Sequence, residues 1–258
     1  MKNELLTIGP FTIYGFGLMI ALGILAAYFV AEVRAKRQGL PYEHVFFLVQ
    51  WCMVGGFLGA KLLYWATEWR SIVQAPEFLF QTLMNGFVVY GGVIGGIFCA
   101  WLYCRRQRIR LLPMLDLLAP SLALAQGFGR IGCFLAGCCY GKQTDSCLSV
   151  TFHRSEYAPN GVALIPTQLY SSLLDFLHFG FLLFLAGKKR PDGQVTAAYL
   201  ILYSAGRFII EFFRGDLERG RVGVLSTSQF IAIFTAAAGA ALLCLTRREQ
   251  MRPHKSRR

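Results

Sequence analysis

Five ionisable side chains lie inside or at the edge of apolar segments, where a charge needs a partner: Lys61, Asp116, Arg130, Arg207 and Glu211. A charge near the centre of a bilayer costs about 2.5–3.5 kcal/mol on insertion scales, so such a residue ordinarily faces a cavity, an opposite charge or a ligand. Because guanidinium is a planar fork that fits phosphate with two parallel hydrogen bonds, the two arginines are candidates for binding a phosphate group.

Arg130 lies in the densest motif of the chain, GRIGCFLAGCCYGK at 129–142. The four glycines of this motif remove side chains and let the backbone approach a neighbour or a ligand closely. We expect Gly137 to end a helix and to open the loop after it. Two interpretations of Arg130 remain open: it binds a phosphate, or it is a structural arginine that snorkels or pairs with Asp116 or Glu211.

A second motif, GRFIIEFFR at 206–214, carries Arg207, Glu211 and Arg214 at positions i, i+4 and i+7. This spacing predicts that the three side chains lie on one helical face. They could form an Arg–Glu–Arg stripe that lowers the cost of insertion. The stripe still carries a net positive charge between apolar residues, and this favours an anion such as a phospholipid head group.

Two tyrosines next to glycines, Tyr14 and Tyr90, have two possible roles. They could anchor helices at the membrane interface, or their hydroxyl groups could bind a head group or a substrate. The Gly-x3-Gly spacing at 91–95 and 92–96 predicts close helix packing. It is not followed by Lys-Ser/Thr, so it is not a nucleotide-binding P-loop.

The elements that must position these residues are seven apolar stretches, each close to the 20 residues that a spanning helix needs. They are 11–31, 45–66, 87–104, 112–136, 168–187, 195–213 and 224–246. Only 16% of residues are charged and 55% are hydrophobic, whereas a soluble domain carries about 25% charged residues. The composition excludes a soluble, a disordered or a collagen-like chain. We predict an all-α membrane protein with about seven transmembrane helices.

Charge predicts the orientation of these helices. When alternate connectors are assigned to the cytoplasm, they and the tail hold 16 Lys and Arg, against 7 on the opposite side. The positive-inside rule then places the N-terminus outside and the C-terminus in the cytoplasm. It also explains the net charge of +12 without nucleic acid. We predict one polytopic domain over 1–246, with outer-face loops 67–86, 137–167 and 214–226, and a basic cytoplasmic tail at 247–258.

The eight cysteines do not predict a metal site or a bound cofactor. Four fall singly in apolar runs and four cluster, but none forms a C-x-x-C pair and the four histidines are scattered. The clustered cysteines are Cys133, Cys138, Cys139 and Cys147. They leave open a membrane thiol–disulfide enzyme as an alternative function.

Five stretches together resemble the prolipoprotein diacylglyceryl transferases of bacterial inner membranes, in the order of that family and over nearly the whole chain. They are IYGFGLM (13–19), YGGVIGG (90–96), LDLLAPSLALAQGFGRIGCFLAGCCYG (115–141), PTQLY (166–170) and GRFIIEFFRGD (206–216). The resemblance implies transfer of the diacylglyceryl group of phosphatidylglycerol to the lipobox cysteine thiol of a preprolipoprotein, with release of glycerol phosphate. It also implies an inner-membrane enzyme whose active site faces the outer leaflet, and which meets phosphatidylglycerol, the signal peptide of its substrate and other membrane lipids.

The resemblance also assigns roles, position by position. We predict a catalytic role for Tyr90, which would orient the head group or the thiol, and the resemblance implies catalytic roles for Arg130 and Arg207. It implies substrate contacts for Tyr14, Asp116, Cys133, Gly141, Glu211 and Arg214. This chain departs from well-studied members at four positions. They carry His where it has Tyr90, Asn where it has Cys133, Glu where it has Cys138, and His where it has Ile165. The general base is therefore not assigned.

Two functions of other classes remain as alternatives at this point. In a transporter or an anion channel the arginines would line a path, and the protein would move a solute without forming a covalent product. In a thiol–disulfide enzyme the Cys133, Cys138 and Cys139 cluster would react. A non-enzymatic scaffold leaves the arginines in apolar segments without a role.

Overall fold

A computed structural model describes residues 4–8, 11–83, 85–188, 190–216 and 220–251 of the chain. It divides into two compact units, one of residues 1–31 with 112–258 and the other of residues 32–111. The single-domain organisation expected from the sequence stays a prediction.

Helices dominate both units, and short strand pairs connect some of them. In chain order the elements are β1 Glu4–Ile8, β2 Phe11–Tyr14, α1 Gly15–Gln38, α2 Glu43–Thr67, α3 Trp69–Gln74, α4 Phe78–Gln81, α5 Val89–Arg106, α6 Leu111–Ala136, β3 Val150–Thr151, β4 Ala163–Leu164, α7 Thr167–Ala186, α8 Gln194–Glu211, β5 Arg221–Val222, β6 Leu225–Ser226 and α9 Thr227–Met251. Each of the seven predicted stretches holds one long helix.

Five of the long helices, α1, α2, α6, α7 and α9, are long and apolar enough to cross a membrane. Large apolar side chains on these helices are exposed at the protein surface, for example those of Phe29 (60% exposed), Leu62 (61%) and Phe234 (61%). Lipid chains solvate such side chains, whereas water does not. The chain is therefore a multi-pass membrane protein.

Two predicted boundaries differ from the structure. Residues 11–14 were expected to begin the first helix, but they form β2, which pairs with β1 in antiparallel register from Ile8↔Phe11 to Glu4↔Tyr14. The β-branched and aromatic residues of FTIY suit a strand, and the helix begins at Gly15. At the other end α9 continues to Met251, so the first residues of the predicted tail are helical, and 252–258 lie outside the described residues.

Close packing of α2 on α5 uses the glycines that the sequence singled out. A Cβ added at Gly59 would lie 2.3 Å from the carbonyl oxygen of Gly91, and one at Gly95 would lie 2.2 Å from that of Gly55. The two backbones therefore touch at a distance that no larger residue permits. The predicted role in helix packing is confirmed for Gly91 and Gly95, whereas a Cβ at Gly96 would meet only an ordinary contact at 3.5 Å.

We expect Gly59→Ala to destabilise the unit of residues 32–111 by about 1–3 kcal/mol, as overpacking of a tight contact does. Gly56→Ala, three residues earlier on α2, is the matched control, because its Cβ would lie 3.6 Å from the nearest atom, the carbonyl oxygen of Gly92. Thermal unfolding in detergent measures both. Equal melting temperatures for the two variants would contradict the close contact.

Lys61, one of the five charges in apolar segments, has a structural role. Its side chain is buried, and Nζ donates hydrogen bonds to the carbonyl oxygens of Asn85 at 2.7 Å, Gly86 at 3.2 Å and Thr82. The ammonium also lies over three aromatic rings, those of Tyr64, Trp65 and Phe87. All three donors are used, so Lys61 ties Thr82, Asn85 and Gly86 to α2.

Candidate active site

The end of α6 is a Schellman motif, and it fixes where the cysteines of the 129–142 motif lie. Gly137 has a φ of 77°, and its amide donates to the carbonyl of Phe134 at 3.1 Å while the amide of Cys138 donates to that of Cys133 at 3.1 Å. A Cβ at Gly137 would also lie 2.2 Å from Oγ of Ser155. The turn therefore requires glycine, and it folds Cys138 back over the last turn of the helix.

Two side chains at the start of α7 hold the backbone of this turn in place. Thr167 Oγ1 donates to the carbonyl of Cys139 at 2.8 Å, and Gln168 Nε2 donates to that of Cys138 at 2.8 Å. Both residues are 1% exposed. The Thr and Gln of the PTQLY stretch thus position the two adjacent cysteines.

Gly141 joins the same loop to the segment that follows α8. Its amide donates to the carbonyl of Ile165 at 3.0 Å, and it forms a backbone bridge with Arg214. A Cβ at Gly141 would lie 2.5 Å from the carbonyl oxygen of Ile165. Close approach of three chain segments, 138–142, 165–168 and 213–216, explains the glycine.

Arg207 is held on α8 with one donor group unused. Its Nη2 lies 2.8 Å from Oε2 of Glu211 and donates to Oγ of Ser228 at 2.8 Å. The side chain is only 13% exposed, and among the described residues Nη1 has no hydrogen-bond partner although it is buried. The predicted i, i+4 pairing of Arg207 with Glu211 is confirmed, and Nη1 is left as an unsatisfied donor among the described residues.

Arg130 lies near Arg207 with an acidic residue close to both. The carboxyl group of Asp175, buried on α7, interacts electrostatically with both guanidinium groups, and the phenol of Tyr203 on α8 does the same. Within the described ranges Arg130 has no hydrogen bond and no ion pair. The suggested pairing with Asp116 or Glu211 is wrong, because Glu211 pairs with Arg207 and Asp116 lies elsewhere.

Arg214 is not on the helical face of Arg207, because α8 ends at Glu211. It lies in the turn beyond the helix, where Nε and Nη2 bind the carboxylate of Asp216 in a bidentate pair at 2.9 and 2.7 Å. The residue is 8% exposed, and its guanidinium also contacts the thiol of Cys139. The predicted three-residue stripe is therefore reduced to Arg207 and Glu211.

The structure collects the thiols of Cys133, Cys138 and Cys139, whose sulfur atoms all lie within 4.8 Å of one another. Hydrogen bonds from the Cys133 and Cys138 thiols, together with the charge of Arg214, hold the pKa of the Cys139 thiol well below its usual range. The sequence predicted a cluster of these cysteines but no metal site, since the spacing C-x4-C-C gives no known metal-site pattern, and Cys147 lies outside the group.

Two guanidinium groups with unused donors, set in one helical unit, suit a phosphate-bearing ligand, and comparison with known proteins points the same way. The sequence profile described as prolipoprotein diacylglyceryl transferase matches residues 3–245. The chain belongs to the prolipoprotein diacylglyceryl transferase family.

Relatives in this family are similar over almost their whole length. The chain is 50% identical to a phosphatidylglycerol–prolipoprotein diacylglyceryl transferase of Clostridium tetani, over 93% of this chain and 95% of the relative. It is 45% identical to a second such enzyme of Clostridium perfringens, over 89% and 90% of the two chains. A Staphylococcus carnosus enzyme of the same name is 32% identical over 96% and 91%.

Three residues to which the sequence analysis gave roles are not among the residues described above around Arg130, Arg207 and the three thiols. Asp116 accepts hydrogen bonds from the amides of Gly193 at 2.7 Å and Thr196 at 2.8 Å, so it caps the start of α8. It lies about 20 Å along α6 from Arg130, at 1.5 Å per residue. Tyr14 ends β2 and is 49% exposed. Tyr90 belongs to the other unit, in the first turn of α5.

Sequence reasoning missed three residues of this diacylglyceryl transferase family member that contact the site. Tyr203 lies four residues before Arg207 on α8, and this i, i+4 spacing was a signal that could have been used. Asp216 follows Arg214 by two residues but binds it only because the chain turns there. Ser228 lies on α9, and no local pattern could connect it with Arg207.

Proposed function

We propose that this protein transfers the diacylglyceryl group of phosphatidylglycerol to the cysteine thiol of a prolipoprotein, with Arg130 and Arg207 as the phosphate-binding pair. Family membership and the names of relatives that are 50% and 45% identical support the reaction. The observation that carries the site is Arg207 Nη1, which is buried without a hydrogen-bond partner in the described part of the chain. A buried donor of this kind costs free energy unless a ligand satisfies it.

The chemistry is a displacement at carbon. The thiolate sulfur attacks the glyceryl carbon of the lipid, the bond from that carbon to the phosphate oxygen breaks, and glycerol phosphate leaves. The phosphate has one negative charge as a diester and a second develops as it departs. Two guanidinium groups fixed before the reaction stabilise that added charge more than they stabilise the bound lipid, which is what lowers the barrier.

The other residues of the site support this pair. Glu211 and Ser228 orient Arg207, while Arg214 and Gly141 hold the cysteine-bearing loop. We assign Tyr90 and Tyr14 to orientation of the head group or the thiol, and Cys133 to a contact near the reacting groups. Asp116 acts from a distance, through the N-terminus of α8.

We further propose that α5 and α8, of 18 residues each, also cross the membrane. In this arrangement seven helices span a bacterial inner membrane, with the N-terminus outside and the C-terminus in the cytoplasm. The ends of α6 and α8 that carry the arginines then lie toward the outer leaflet. Reporter fusions after Arg110 should then report the cytoplasm, and fusions near Asn160 the outer side. An outer location for Arg110 would overturn both the orientation and the side of the active site.

The decisive test mixes purified protein with phosphatidylglycerol and a lipobox peptide, and follows the peptide by mass spectrometry. We expect a diacylglyceryl adduct on the cysteine thiol and release of glycerol phosphate. Movement of a solute without a covalent product would instead indicate a transporter. A mixed disulfide between peptide and protein would indicate a thiol–disulfide enzyme.

A further inference from the structure

Three thiols form a compact group that the phosphate chemistry does not use. Cys133 comes from the last turn of α6, and Cys138 and Cys139 follow the Schellman turn at Gly137. Their three sulfur atoms lie within 4.8 Å of one another, and all three residues are partly buried. A turn that requires glycine, and two buried side chains that hold the next two carbonyls, keep this group together.

The spacing of the sulfurs suits a metal ion. Zinc–sulfur bonds are about 2.3 Å long, so two sulfurs of a tetrahedral site lie about 3.8 Å apart. The three sulfurs lie within 4.8 Å of one another, and small rotations of the side chains would shorten these separations to about 3.8 Å. Thr167 and Gln168 already fix the backbone carbonyls of Cys139 and Cys138 at 2.8 Å, so binding needs little reordering of the main chain.

The surrounding charge also suits a thiolate site. Three thiolates on a divalent ion carry a net charge of −1, and this charge needs cationic neighbours in a partly buried place. The guanidinium of Arg214 contacts the Cys139 sulfur, and the charge of Arg130 interacts with Cys133 and Cys139. Hydrogen bonds from such groups to ligating sulfur are the usual outer-shell support of a metal site.

The group offers three ligands and leaves a fourth position open. Among the described residues, no further His, Cys, Asp or Glu ligand atom joins the three sulfurs. Structural zinc sites are closed by four protein ligands, whereas catalytic sites keep one position for water or substrate. Three protein ligands beside two arginines match the second kind.

We propose that Cys133, Cys138 and Cys139 bind one thiophilic divalent ion of the Zn²⁺ class, and that its fourth position takes the cysteine thiol of the acceptor as a thiolate. The second half rests on the proposed function, in which that thiol is the nucleophile. Loading releases the protons of the three ligating thiols to water. When the acceptor binds, a metal–sulfur bond forms, the metal–water bond breaks and the thiol proton leaves with solvent. No oxidant or reductant takes part.

Such an ion would supply the nucleophile that the arginines do not. A free thiol with a pKa near 8.5 is only a few per cent ionised at pH 7, whereas a thiol that coordinates zinc is deprotonated outright. Four thiolates on Zn²⁺ carry a charge of −2, which the charge of Arg130 offsets in part, since Arg214 is also paired with Asp216. The same arrangement would hold the sulfur beside the phosphate-binding pair.

The test of the site is metal content, measured without any lipid. Full-length protein, purified in detergent under reducing conditions and dialysed against Zn²⁺, should retain about one zinc per chain, because three protein thiolates hold the ion while water takes the fourth position. Cys138→Ser should lose most of it. Cys147→Ser is the matched control, since this thiol lies in the same loop but is exposed and outside the group, and it should retain the ion. Parent protein that retains no zinc overturns the site, whatever the variants do.

The test of the fourth position replaces Zn²⁺ by Co²⁺ and follows the sulfur-to-cobalt charge-transfer band. A lipobox peptide should raise the band by about one third, because a fourth thiolate joins three, while the same peptide with Ser in place of Cys should leave it unchanged. An equal response to both peptides, or none, overturns the binding of the acceptor thiol. Neither result depends on diacylglyceryl transfer, so failure of the proposed function would be seen separately by mass spectrometry.

Discussion

The Arg207→Lys protein is expected to turn over phosphatidylglycerol tens to hundreds of times more slowly than the parent, at unchanged abundance in the membrane. Lysine keeps the positive charge and can still pair with Glu211, which lies 2.8 Å from Nη2. It cannot also supply the second nitrogen, Nη1, which is buried without a partner among the described residues. Loss of one preorganised donor costs about 2.7–4 kcal/mol of transition-state stabilisation, or 10²–10³ in rate, and the lysine ammonium recovers part of it.

Ser228→Ala is the matched control for this variant. It removes the hydrogen bond that orients Nη2 at 2.8 Å but leaves the guanidinium and its pairing with Glu211. We expect a fall of only several-fold, the size of one neutral hydrogen bond of about 1 kcal/mol. Initial rates of adduct formation at saturating lipid measure both proteins. If Arg207→Lys is as active as the parent, Arg207 only balances Glu211 and the phosphate-binding role is wrong.

The helices could be predicted from the sequence because each is a local pattern. Every predicted stretch holds a long helix, and the pairing of Arg207 with Glu211 follows directly from i, i+4 spacing. The Gly-x3-Gly contact was also local on one helix, although its partners Gly55 and Gly59 on α2 appear only in the structure. Features that depend on one chain segment alone could therefore be predicted from the sequence.

The parts that failed depend on contacts between distant segments. Arg214 was placed on the helix by spacing, but the backbone bridge to Gly141 draws residues 213–216 away from it. The sequence showed the cysteine cluster but not the close approach of its three thiols, because that geometry needs a turn at Gly137 and support from Thr167 and Gln168, which lie 28 and 30 residues after the cysteines they hold. A spacing rule for metal ligands cannot include such a turn.

The environments of Arg130 and Lys61 lead to opposite predictions for two cations that look alike in the sequence. Within the described residues Arg130 makes no hydrogen bond and no ion pair, whereas Lys61 donates to three carbonyl oxygens. Replacing Arg130 by an apolar residue breaks no hydrogen bond or ion pair among the described residues, and Asp175 keeps its interaction with Arg207, so we expect little change in stability. Removing the Lys61 ammonium leaves the partly buried carbonyls of Asn85 and Gly86 without this donor, whereas that of Thr82 still accepts from the amide of Asn85. Each acceptor left unpaired costs up to about 1–3 kcal/mol before relaxation.

We therefore expect Arg130→Met to melt within a few degrees of the parent and to lose at least about 10²-fold in diacylglyceryl transfer, because the second phosphate ligand is gone. Lys61→Met should melt much lower, and any loss of activity should follow the amount of folded protein. Melting temperature and initial rate, measured on the same detergent preparation, separate the two cases. An Arg130→Met protein that is active, or one whose inactivity is matched by unfolding, would return Arg130 to the structural role that Lys61 has. A stable and inactive protein would mean that the free energy spent in burying this guanidinium is recovered only when the lipid phosphate binds.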